Sequence, residues 1–195
     1  MKKIKDIVNK LTTDNRIESK IRVFNYVRDI PYHVSHNDNP IEAIEDAKAN
    51  CGQKARLLDM LLTEIGEKTK KISARYKVQN LPIPQEIIDI WPSEYDYHLA
   101  NLIKIRNDWI LLDATGDINL KGTDYVVNEW DGVSNTKWYV KPEEFSYKGS
   151  GNEREFREKL DEWLKEMEKH KERADKFVKR ENKYIKKVRK SNKKE

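Results

Sequence analysis

The chain has a single cysteine among 195 residues. It opens the stretch Asn50-Cys51-Gly52-Gln53-Lys54-Ala55-Arg56-Leu57-Leu58-Asp59-Met60-Leu61-Leu62, which reads as a helix. A thiol at a helix N-terminus faces unpaired N–H groups and the positive end of the macrodipole, and both favour the nucleophilic thiolate. Downstream, His98 heads an apolar alternating run, and Asp113 closes the next one after Trp109-Ile110-Leu111-Leu112. A nucleophile on a helix, with a base and a carboxylate on neighbouring strands, is the Cys-His-Asp pattern of acyl chemistry. Each residue also has an ordinary use, as a small buried hydrophobe, a satisfied core histidine or a turn cap. The order and local context of all three together carry the reading.

Other groups compete for a role. His33-Val34-Ser35-His36 has metal-like spacing, but no cysteine pair lies near it and the segment sits in a turn region. It reads as a solvated loop, and neither a metal nor a cofactor is expected. Asp117 rivals Asp113 as the carboxylate, although Thr115-Gly116-Asp117 looks like a turn. Tyr32 is a candidate donor to an oxyanion, against the plainer reading of a packed tyrosine.

The elements that must position these groups are legible from spacing. Ile4, Ile7, Val8 and Leu11 mark a helix over residues 3–11. Asp14 or Asn15 caps a second helix with Ile17, Ile21, Phe24 and Val27 on one stripe, ended by Pro31. Asn37-Asp38-Asn39-Pro40 is a turn before a short helix over Ile41–Ala47. Asn50 caps the cysteine helix, with Gly66 as its stop. Ile72, Ala74, Tyr76 and Val78 alternate as a strand. The stretch from Leu81 to Tyr97, with Pro82, Pro84 and Pro92, suits either a loop over a cleft lined by Trp91 or an insertion packed on the core. Residues 98–105 and 109–113 read as strands joined by Arg106-Asn107-Asp108, a hairpin that brings His98 and Asp113 to one end of a sheet. Shorter strands are expected near Tyr125–Val127 and Trp138–Val140.

These blocks resemble a known family. Asn50 to Leu62 followed by Ile65-Gly66 resembles the nucleophile block of the transglutaminase-like superfamily. Asp96-Tyr97-His98-Leu99-Ala100-Asn101-Leu102-Ile103-Lys104-Ile105 resembles its histidine strand, and Trp109-Ile110-Leu111-Leu112-Asp113-Ala114-Thr115 its carboxylate block. The superfamily includes transglutaminases, cysteine proteases and peptide N-glycanases on a papain-like fold. The resemblance spans roughly residues 20–145 and implies Cys51 as nucleophile, His98 as base and Asp113 as its orienter. Ala49 stands where the family usually has glycine, and Ala114 where it commonly has proline. The first tryptophan is Trp91 and no glutamine precedes Gln53, so the usual upstream oxyanion donor has no counterpart.

Hydrophobic and charged residues each make up 37% of the chain, so part of it must be largely solvated. Residues 152–195 hold 17 Lys or Arg against 11 Asp or Glu, whereas the rest is nearly balanced. From Phe156 through Leu160, Trp163, Met167, His170, Ala174, Phe177, Glu181, Tyr184 and Val188 runs a heptad rhythm, imperfect at His170 and Glu181. Its first half is expected to pack, and residues 176–195, with 10 basic and 2 acidic side chains, to be more exposed. No membrane span or signal peptide is expected, and a lone free thiol suits a reducing, cytoplasmic setting.

The expected fold is therefore α+β. A papain/transglutaminase-like core over residues 1–148 packs helices on an antiparallel sheet, and a long charged helix follows over 152–195. The expected function is cysteine-dependent amide hydrolysis or acyl transfer on a protein or peptide substrate, through a thioester. The alternative is a non-catalytic scaffold whose basic helix binds nucleic acid or an acidic protein.

Overall fold

The computed structural model describes residues 2–192; Met1 and residues 193–195, the outer ends of the expected core and tail, lie outside the described residues. Helices α1 (Lys2–Leu11), α2 (Arg16–Arg28), α3 (Pro40–Glu45) and α4 (Cys51–Glu64) come first. Asn15, Asn39 and Asn50 each stand just before a helix, and each side chain accepts first-turn N–H groups. Such a cap is worth about 1 kcal/mol, which is why asparagine recurs there. Gly66, at φ +84°, ends α4 in the left-handed conformation that a side chain would resist. Leu57, Leu58, Leu61 and Leu62 of α4 are fully buried, each contributing roughly 1.5–3 kcal/mol. They pack against Val23, Phe24 and Val27 of α2 and against Ile103 and Leu112 of the sheet.

The sheet has four antiparallel strands, β1 (Thr69–Lys77), β2 (Tyr95–Ile105), β3 (Asp108–Leu112) and β4 (Pro142–Tyr147), in the order β3-β2-β1-β4. The proline-bearing connection between β1 and β2 carries the single-turn helix α5 (Gln85–Ile88), and its Ile83 and Ile87 are buried. Asp108 already pairs with Ile105, so the β2–β3 turn is only Arg106-Asn107, with Arg106 at φ +54°. That turn sets the register on which the site depends, because a one-residue slip would move His98 to the other face. The α+β class and the antiparallel sheet agree with the sequence reading.

Two local expectations need correction. No strand forms at Tyr125–Val127 or at Trp138–Val140; the last strand is β4 instead. Here side chains replace the ladder. Asn128 binds Lys137 through both its N–H, at 2.9 Å, and its carbonyl, at 2.8 Å, and the Tyr139 N–H donates to the Asp113 carboxylate at 2.8 Å.

The C-terminal helix runs as consecutive segments, α6 (Glu153–Lys169) and α7 (Lys171–Asn192), meeting at His170. Phe156 and Met167 of α6 are buried, as their spacing requires. The second correction concerns α7, which is docked rather than projecting. Ala174, Phe177, Glu181 and Ile185 are buried. Asn182 bonds the N–H and carbonyl of Val34 at 2.9 and 2.8 Å, and Arg189 reaches the Tyr32 carbonyl at 2.7 Å. Arg173 binds the carbonyls of Asp89, Ile90 and Trp91, and Asn192 binds those of Asn119 and Lys121. Net charge predicted exposure, but the apolar stripe of α7 joins a cluster with Tyr32, Leu120, Tyr125 and Tyr139. Its basic side chains Lys176, Lys179, Arg180, Lys183, Lys186 and Lys187 point away, exposed. No helix among the described residues is long and apolar enough to cross a membrane.

Candidate active site

Cys51 is the first residue of α4, half-buried beneath a capping box. Asn50 accepts the Gln53 N–H at 2.7 Å, and Gln53 accepts the Asn50 N–H at 3.1 Å. The Asn50 amide also donates to the carbonyls of Ser35 and Asn37 at 2.9 and 2.7 Å, fixing the helix start to the preceding loop. Gln53 is held by this cap and by a 3.1 Å bond from its amide to the Asn39 carbonyl. The N–H groups of Cys51 and Gly52 head the helix with no intrahelical acceptor, leaving donors beside the thiol.

The hairpin register explains how His98 meets Asp113. Asn101 pairs with Leu112, so the residue after β3 falls opposite Ala100, and His98 lies two residues along on the same face. Diagonal neighbours on a sheet are within reach of long side chains. His98 Nε2 lies 2.7 Å from Asp113 Oδ2. Both residues are buried, 3% and 1% exposed. The Asp113 carboxylate also accepts the Tyr139 N–H at 2.8 Å and the Thr115 N–H at 3.2 Å, and its own N–H donates to Thr136 Oγ1 at 2.9 Å. The imidazole stacks on Tyr139 with centroids 5.9 Å apart and meets Trp138 edge-on at 6.2 Å.

With Nε2 engaged, Nδ1 is the ring nitrogen left for Cys51. Burial opposes the imidazolium, but the charge and hydrogen bond of Asp113, aided by the neighbouring Cys51, outweigh it and raise the His98 pKa to about 10. For Asp113 burial pulls upward, yet His98 and the bonded N–H groups win and hold its pKa below the usual carboxylate range.

The rival groups nominated by the sequence take other parts. Asp117 does not reach the imidazole; its carboxylate accepts the Tyr32 N–H at 2.8 Å and pairs with Arg189 of α7. His36 pairs with Asp175 at 3.1 Å, and the His33 N–H donates to the Ala49 carbonyl at 2.8 Å. Tyr32 does line the cleft with Cys51 and His98, as does Trp91.

Other residues at the site escaped the sequence reading. Lys54 is wholly buried one turn along α4, and its ammonium donates to the carbonyls of Arg28, Ala114 and Thr115 at 2.9, 3.2 and 2.8 Å. Three acceptors use all three protons of the cation. Burial lowers its pKa to about 7 against the pull of Asp117 and Asp113. It ties the cysteine helix to the Asp113–Thr115 segment. Nothing in the sequence distinguishes it from a surface lysine.

The cleft has a volume of about 700 Å³. Cys51, His98, Tyr32, Tyr76 and Asp96 line it, together with Trp163, Met167, Phe177 and Glu181 of α6 and α7. Asp96 accepts the Tyr76 hydroxyl at 2.9 Å and the Tyr97 N–H at 2.7 Å. Glu181 is 3% exposed, and its only sequence signal is an acid at an apolar position of the heptad.

No family model and no curated protein matches the chain. Among solved structures it is similar to a chain from Cytophaga hutchinsonii called a "putative cysteine protease", at 15% identity and a TM-score of 0.44 over 75% of this chain; it spans 50% of that chain.

Proposed function

We propose that the protein is a cysteine-dependent amide hydrolase or acyl transferase with Cys51 as nucleophile, His98 as base and acid, and Asp113 as the positioning carboxylate. The observation that carries this reading is His98, held at 2.7 Å by a buried carboxylate and lining the same cleft, of substrate size, as the one thiol. In the proposed cycle His98 already holds the Cys51 proton in a thiolate–imidazolium pair, and the sulfur bonds the carbonyl carbon. The carbonyl π pair goes to oxygen, facing the Cys51 N–H. Collapse breaks the C–N bond, the amine takes the proton from His98, and a thioester remains. Water, giving a proton to His98 as it attacks, completes hydrolysis; an amine completes transamidation. Tyr32, whose hydroxyl makes no hydrogen bond among the described residues, is proposed as a second donor to the oxyanion.

The reading is tested by trapping. A peptide carrying an electrophilic carbonyl should label Cys51 in the intact chain, with the adduct mapped by mass spectrometry, and His98→Ala should abolish labelling. Alkylation of Cys51 at the rate of a free thiol below pH 8.5 would remove the enzyme reading. A separate proposal concerns partners: the exposed basic face of α7 is suited to an acidic protein or nucleic acid, and binding should weaken steeply with salt.

A further inference from the structure

We infer that the cleft holds a cationic group of the substrate, a primary ammonium or guanidinium, against Glu181 of α7 and Asp96 of β2. The inference rests on Cys51 being the reacting group and adds which chemistry the cleft selects. Glu181 is 3% exposed and makes neither a hydrogen bond nor an ion pair with any described residue, yet it lines the cavity that holds Cys51. A buried carboxyl without a partner is costly, so its persistence implies a partner supplied from outside the chain.

The surroundings favour a cation. The charge that bears on Glu181 is another carboxylate, Asp96, and no basic group among the described residues forms an ion pair with it. Burial, then Asp96, raises its pKa to about 8. Burial likewise raises Asp96 to about 6, against its bonds to Tyr97 and Tyr76. Elsewhere on the cleft wall Arg56 pairs with Asp38 at 2.9 Å and His36 pairs with Asp175 at 3.1 Å, while Glu168 and Lys171 bring one charge of each sign at its exposed edge. Tyr32, Tyr76, Tyr139 and Trp91, side chains of the kind that attract ammonium and guanidinium groups, stand among aliphatic residues such as Leu81 and Val178 on the same wall. The buried Tyr139 hydroxyl likewise has no partner among the described residues. An anionic group would meet Asp96 and Glu181, whereas a cation favours loss of the Glu181 proton to solvent and pairs with the carboxylate that remains.

The cation can ride on the peptide that donates the acyl group or on a free amine, and the test separates them. In the full chain, Cys51 is treated with aminoethyl, ethyl and sulfonatoethyl methanethiosulfonates, each rate divided by that for free cysteine. The aminoethyl reagent should exceed the ethyl one by about tenfold, the equivalent of roughly 1.4 kcal/mol, and the sulfonate should be slowest. Glu181→Gln should collapse that ratio. Without any variant, butylamine but not butanol should protect wild-type Cys51 from iodoacetamide if a free amine enters. An electrophilic peptide with lysine beside the electrophile should outpace its norleucine twin if the donor carries the charge. Equal normalised rates for the three reagents, a ratio unchanged in Glu181→Gln, or no preference in either the butylamine or the lysine arm would overturn the inference. A free-thiol rate with the neutral reagent would instead sink the catalytic reading alone, since the charge ratio is read independently of it.

Discussion

His98 sits between two groups that prefer its charged form, and the consequence is a pH signature. A group whose pKa rises on folding, here from about 6.5 to about 10, adds stability fully present below the unfolded value and lost as pH rises through the folded one. Asp113, held low, adds stability above its unfolded pKa of about 3.9 and loses it as pH falls through the folded value. The difference in Tm between the wild type and Asp113→Asn should therefore be widest between about pH 4 and 6.5, and close as pH rises through about 10. Thermal melts across this range check it; a constant difference would contradict the charged pair. In turnover, Asp113→Asn should cost roughly 10³–10⁴-fold with the fold intact, because the imidazole keeps its place but loses its tautomer and counter-charge. Cys51→Ala and His98→Ala should each abolish turnover, and the double variant should be little worse than either.

Among the elements, the segment after β3 brings the helix and sheet halves of the site together. Lys54 reaches it from α4 and Asn128 binds the Asp113 carbonyl at 2.9 Å. Lys54→Met keeps the volume but leaves the carbonyls of Arg28, Ala114 and Thr115 buried and unpaired. The expected loss is about 3 kcal/mol in urea denaturation, since each abandoned acceptor costs about 1 kcal/mol or more. Gly116 is the tightest point of this segment: a Cβ there would lie 2.0 Å from the Val126 carbonyl oxygen. Backbone must move to admit it, so Gly116→Ala should destabilise by about 1–3 kcal/mol and slow Cys51 labelling through misplacement of Asp113. Labelling and stability equal to wild type would show that this contact yields freely.

Over the whole molecule, α6 and α7 are a wall of the cleft as well as a charged surface. Arg189 joins α7 to Asp117 and to the Tyr32 carbonyl, and Asp117 in turn holds the Tyr32 N–H. Arg189→Ala should lower Tm and raise hydrogen exchange along α7, because it leaves the buried Asp117 carboxylate without its counter-ion. Deleting residues 176–192 should go further, removing Phe177, Val178 and Glu181 from the cleft lining. Bulky thiol reagents should then reach Cys51 faster relative to small ones. An unchanged ratio of bulky to small reagent rates in the deleted chain would mean that α7 does not shape access.

The sequence by itself determined most of what local physics controls. The asparagine caps, Gly66, the leucines of α4 and the alternation of β1 to β3 lie in short stretches whose geometry follows from neighbouring residues. The order of Cys51, His98 and Asp113 along those stretches was enough to nominate the trio, and the short turn at Arg106-Asn107 places the last two on one face. Only the tertiary structure decided where charge is buried. Lys54 carries no mark of burial in the sequence and Glu181 only its place on the heptad stripe, because composition scores side chains singly, whereas their burial depends on what distant segments bring: the Ala114 and Thr115 carbonyls for one, the tyrosine-lined cleft for the other. The same holds for α7, whose net charge argued for solvent while its apolar stripe and the backbone groups of Val34 and Tyr32 argued for docking. Packing won there because basic side chains can face outward from a helix whose opposite side is buried.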